Sequence, residues 1–100
     1  MRISTKEKEV IVQEARNEFG NEVRVILFGS RVNDLARGGD IDLMIIPLPN
    51  EASQLYRKKI RYLVHLKEKL GDQKIDVLIC QPDDSRGIIK TALQEGVALC

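Results

Sequence analysis

Residues 23–28, 41–46 and 74–80 form three short runs in which, apart from Arg24, Asp42, Lys74 and Asp76, apolar residues fall on successive positions. Strands of that kind cannot leave one face in water, so they predict a sheet covered on more than one side. The stretches between them have helical periodicity. Ser4-x-x-Glu7 is a capping-box pattern, and Val10, Ile11, Ala15 and Phe19 follow before the stop signal Gly20-Asn21, which predicts a helix over about 4–19. Asn50 can cap a long helix to Leu70, with Leu55, Ile60, Leu63, Leu66 and Leu70 as its buried face and Gly71 as its end. Asp83 or Asp84 can cap a last helix carrying Ile88, Ile89, Ala92 and Leu93, and residues 31–39 predict a helical turn followed by a loop. The expected fold class is α/β (α+β), with a three-stranded mixed sheet flanked by helices in the order α-β-(α)-β-α-β-α.

One hundred residues and 11.3 kDa suit a single domain, expected over 1–100, which buries roughly 65% of the unfolded chain's surface. That leaves little room for a second domain, a long lid or a dedicated substrate-binding module. Sixteen Lys and Arg against fifteen Asp and Glu give a net charge of +1, so the global basic field of a typical nucleic-acid binder is missing. Cys80, Cys100 and the single His65 cannot by themselves build a zinc site or a disulfide framework. With no transmembrane-length apolar run and no signal-peptide core, the expectation is a cytoplasmic protein with no membrane partner.

The chemistry concentrates in carboxylates. Asp40 and Asp42 stand two residues apart at the start of an apolar strand, which places both on one face, ~7 Å apart at Cα. A third acid, Asp76, interrupts the run 74–80, where a charge in a buried strand costs several kcal/mol unless it is paired or binds a cation. A short connection makes the first two strands antiparallel, and a crossover helix over 51–70 makes the second and third parallel. All three acids then share one sheet edge with Gly29-Ser30. Carboxylates ~4 Å apart repel by about 4 kcal/mol at an effective dielectric of 20, so such a trio holds a shared proton or a hard divalent cation, Mg²⁺ or Mn²⁺. Gly29 lets a phosphate approach the backbone, and Ser30 adds a hydroxyl and a backbone N–H. The simpler reading of Asp76 is a structural salt bridge to Arg24. Tyr56, Arg57, Lys58, Lys59, Arg61 and Tyr62 form a basic helix segment that reads first as a solvated face.

Gly29-Ser30, a nine-residue gap, Asp40-x-Asp42 and a later lone Asp76 on a strand resemble the DNA polymerase beta-like nucleotidyltransferase superfamily, and within it the minimal nucleotidyltransferase (MNT) branch. The resemblance covers nearly the whole chain. It implies that Asp40, Asp42 and Asp76 bind two divalent metals, with Asp76 nearest the attacking hydroxyl. It also implies that Gly29, Ser30 and the adjoining Arg31 hold the phosphates of ATP. Arg37 is given no role. Many MNT proteins are similar to the antitoxin half of a toxin–antitoxin pair, which implies a helical HEPN-type toxin as partner and transfer of AMP to one of its tyrosines. Two other readings stand beside it. One is a non-catalytic domain that masks its partner sterically; the other is the nucleotide-binding subunit of a small-molecule nucleotidyltransferase. The acceptor, the choice of NTP and self-association are left open.

Overall fold

The computed structural model describes residues 3–29, 40–48, 52–81 and 86–100. Helix α1 (Thr5–Phe19) starts where the capping box predicts. The Ser4 hydroxyl accepts from the Glu7 amide at 3.0 Å, and the Glu7 carboxylate accepts from the Ser4 amide at 2.9 Å. It stops at Gly20, whose φ of 99° only glycine adopts without strain. Strand β1 (Arg24–Phe28) runs antiparallel to β2 (Ile41–Ile46). The 19-residue helix α2 (Ala52–Leu70) then crosses over to β3 (Ile75–Ile79), which lies parallel to β2. Both orientations follow from the length of the connection.

The sheet has four strands rather than three, in the order β3-β2-β1-β4. After helix α3 (Gly87–Glu95), the chain returns as β4 (Val97–Ala98) and pairs antiparallel with the otherwise open edge of β1. Gly96 makes this return possible. A Cβ there would collide with the Ala92 carbonyl and the Ile26 side chain. The Leu99 amide donates to the Val25 carbonyl at 2.8 Å, and its side chain is buried.

The two faces of the sheet carry separate cores, as successive apolar residues require. On one face Val25, Leu27, Ile41, Leu43, Ile45, Ile75 and Val77 pack against Ile11, Ala15 and Phe19 of α1 and Tyr62 and Leu66 of α2. On the other, Ile26 and Met44 meet Ile89 and Ala92 of α3, with Phe28, Ile46, Leu78 and Cys80 half-buried around them.

Helix α2 buries the expected Leu55 and Leu66 and packs Leu63 and Leu70 half-buried beside them, but departs from the expected face at one position. Ile60 is exposed and Tyr62 is fully buried, because the hydroxyl of Tyr62 donates to the Ile11 carbonyl at 2.9 Å and its ring meets Phe19 edge-on with centroids 5.7 Å apart. A satisfied polar tip lets a tyrosine go fully inside. In α3 the apolar pair Ile89 and Ala92 is buried, whereas Ile88 and Leu93 are exposed. Arg86 holds its N-cap position with no side-chain cap bond. The expected caps Asn50, Asp83 and Asp84, and the turn expected over 31–39, lie outside the described residues. No helix among the described residues is long and apolar enough to cross a membrane.

Candidate active site

The backbone register brings the acids together. Asp42 stands opposite Phe28, the last residue of β1, and directly beside Asp76 of β3. Because side chains alternate along a strand, Asp42 and Asp76 project from the same face as Met44 and Leu78. Asp40 precedes β2 by one residue and keeps the same parity as Asp42. Each of the three offers a carboxylate oxygen, and these oxygens all lie within 4.8 Å of one another. Asp40 and Asp42 are half-buried, while Asp76 is exposed.

That exposure corrects the expectation of a charge inside a covered strand. β3 is an edge strand, and its pattern beside the acids is buried, exposed, buried, so Asp76 faces solvent between Ile75 and Val77. A salt bridge from Asp76 to Arg24 is ruled out by register. Arg24 pairs with Ile46 at one end of the sheet, whereas Asp42 and Asp76 sit at the other.

Gly29 closes the site with a constraint of its own. Its φ is 76°, in the left-handed region, and a Cβ built on it would run into the Asp42 carboxylate. The residue read as a place for phosphate to approach is also the place where the backbone makes room for an acid. Ser30, Arg31 and Arg37 lie outside the described residues.

The electrostatics are those of crowded carboxylates. Burial, then the charges of Asp76 and Asp40, then a hydrogen bond with Asp76 hold the Asp42 carboxyl above the usual carboxylate range; Lys74 opposes them. Lys74 lies with its Nζ 3.3 Å from Asp40, and the acids push its ammonium above the ordinary lysine value, Asp40 foremost. The Ile41 amide donates to the Lys74 carbonyl at 3.0 Å, tying the starts of the two parallel strands together. Sequence reading passed over this lysine. The available signal was its spacing two residues before Asp76, which gives the two the same strand parity.

Three carboxylates with mutual repulsion and one lysine at their margin form an oxygen-only donor set, which fits a hard divalent cation of the Mg²⁺ or Mn²⁺ kind. The softer ligand types are elsewhere. His65 stands 3.5 Å from the buried Glu14 between α1 and α2, and Cys80 lies beyond the far end of β3.

Residues 8–99 match the family model of the nucleotidyltransferase domain. The chain belongs to the nucleotidyltransferase domain family. This supports the DNA polymerase beta-like superfamily and a transferase activity in general terms. No curated protein matched the chain. The mixed α/β fold is consistent with a nucleotidyltransferase fold, and the acid cluster lies inside the matched segment.

Proposed function

We propose that this nucleotidyltransferase transfers the AMP moiety of ATP to a hydroxyl group, and that the acceptor is a tyrosine of a helical HEPN-type toxin, which makes the protein a cytoplasmic antitoxin of the MNT branch. The observation that carries the transfer reading is the convergence of Asp40, Asp42 and Asp76 beside the Gly29 turn. Asp40, Asp42 and Asp76 would hold the divalent cations, two Mg²⁺ in this reading. Bound there, they would neutralise charge on the α-phosphate and on the leaving pyrophosphate.

The chain's own residues divide the remaining work. Gly29, with Ser30 and Arg31 next in sequence, offers the phosphates a backbone approach with no side chain in the way. Asp76 is the exposed member of the trio on an edge strand, so an acceptor hydroxyl can reach it from outside and give up its proton there. The new bond joins the acceptor oxygen to the α-phosphorus. The bond from that phosphorus to the bridging oxygen breaks, and pyrophosphate leaves with the electron pair. An acceptor presented by a partner surface supports the rate by positioning, which is worth several kcal/mol.

The test is intact-mass analysis of the partner after incubation with Mg-ATP and the domain, with ATP labelled at the α-phosphate. The partner should gain one or more labelled AMP units on a hydroxyl, and Asp40→Asn and Asp42→Asn should each abolish the gain while the complex still forms. If those variants neutralise the partner as well as wild type and no NTP gives a mass shift, the domain acts by masking and the transfer reading is wrong.

A further inference from the structure

The outward side of α2 is apolar where a solvated helix should be polar. Tyr56, Ile60 and Val64, spaced i, i+4 and i+8, are 66%, 44% and 48% exposed. At 100° per residue Ile60 lies roughly 120–160° around the helix from Leu55, Tyr62 and Leu66, the residues that α2 buries among those described. The three side chains therefore form a ridge along the face turned away from the core, and an i, i+4 ridge is the geometry that seats in the groove of a second helix.

The charges around the ridge indicate what would cover it. α2 carries six Lys and Arg and a single acid, Glu68. Arg61 is held by Glu18 at 2.7 Å, and Lys69 pairs with Glu14. Arg57, at the Tyr56 end, and Lys67, beyond Val64, are exposed and have no ion-pair partner among the described residues. A second copy of this chain would set one cationic helix against another, and like charges oppose that pairing. Half the circumference of α2 is committed to the core, so it cannot sink into a bilayer as a free amphipathic helix does.

We propose that the ridge Tyr56–Ile60–Val64, with Arg57 and Lys67 at its ends, docks an amphipathic helix of another protein whose apolar stripe is bordered by Asp and Glu. The acids of the candidate active site project from the opposite face of the sheet, so a helix seated on α2 leaves them open. The inference rests on exposure and charge and does not depend on the transfer reading.

The probes are three synthetic helical peptides: one with Leu at alternating third and fourth positions and Glu on its flanks, its composition-matched scramble, and the same pattern with Lys in place of Glu. Affinity is read by titration and location by backbone amide shifts in the full chain. The Glu-flanked peptide should perturb the outward residues of α2 and bind at least tenfold more tightly than its scramble. Its binding should weaken with salt and fall about tenfold in Ile60→Ser. The Ile60→Ser melting temperature should stay at the wild-type value, because the side chain is half-exposed. Arg57→Glu with Lys67→Glu should transfer the preference to the Lys-flanked peptide. Equal binding of patterned and scrambled peptides, or binding unaffected by these substitutions, overturns the proposal. So does perturbation of α2 by phosphatidylglycerol vesicles or single-stranded RNA but not by the peptide, or a dimer that Ile60→Ser dissolves.

Discussion

A side chain at position 29 would meet two obstacles: a φ of 76° and the carboxylate of Asp42. Gly20 has only the first, since its φ is 99° and nothing lies within 4 Å of the place where a Cβ would stand. Gly29→Ala and Gly20→Ala should therefore each cost about 1–3 kcal/mol through backbone strain. Only Gly29→Ala should also abolish the thermal shift produced by Mg²⁺, because it displaces Asp42. Scanning calorimetry of both variants with and without Mg²⁺ checks this. Asp42→Asn should act in the opposite sense on the metal-free protein. Removing one of three crowded charges should raise stability by about 1 kcal/mol after solvent screening, or about 4–8 °C. Transfer should fall about 10³-fold with it, the several kcal/mol of charge stabilisation a metal supplies. Much of this site was readable in the sequence, because an Asp-x-Asp pair and an acid inside an apolar run are each anomalous for a strand. The exposure of Asp76 was not readable, since it depends on which strand forms the sheet edge. Nor was the contact between Gly29 and Asp42, which requires the register of β1 on β2.

Among the elements, the three long strands and α1 end within a residue or two of where run length and caps place them. β4 escaped because a two-residue strand has no periodicity; its signal is steric and resides in Gly96. Gly96→Ala should destabilise the protein by at least about 2 kcal/mol, as it forces apart α3, Ile26 and the backbone of β1. Gly87→Ala, at the start of α3 with open space around it, should be neutral or slightly stabilising. Urea denaturation of the pair separates the two effects. The expected face of α2 holds at Leu55, Leu63, Leu66 and Leu70 and fails at Ile60, in whose place Tyr62 is buried. At 100° per residue Tyr62 lies within about 40° of Leu55 and Leu66 while Ile60 lies at least about 120° away, so spacing already favoured Tyr62; its polar tip disguised it, and that tip is satisfied by the Ile11 carbonyl. Tyr62→Phe should therefore cost about 1 kcal/mol, the worth of one hydrogen bond, with the ring contact to Phe19 kept. A Tyr62→Phe melting temperature equal to that of wild type would show that the bond contributes nothing.

For the whole molecule, the raised Asp42 carboxyl sets a pH dependence of folding. An acid whose pKa is higher folded than unfolded adds no penalty while it is protonated in both states. The penalty grows as pH climbs from the unfolded value of 3.8 through the raised folded value, and it is constant above. The informative quantity is the stability of wild type minus that of Asp42→Asn. It should be near zero at low pH, become negative as pH rises through that window, and recover in the presence of Mg²⁺. Denaturant titrations across pH, with EDTA or Mg²⁺, measure it. A difference independent of pH would mean that Asp42 is not crowded in the folded state.

The fit between Gly29 and Asp42 also bears on descent. While the acid is needed, drift at position 29 is blocked by sterics and by dihedral angle together. Once a lineage loses the carboxylate at 42, the steric half of the constraint disappears, and residues tolerant of a left-handed backbone, asparagine above all, become admissible at 29. A domain of this fold that has drifted into a purely adhesive role should therefore lose the two residues in order, the acid first and the glycine after it. A lineage in which the glycine went first while the acid persisted would have had to shift the backbone of β1 to survive.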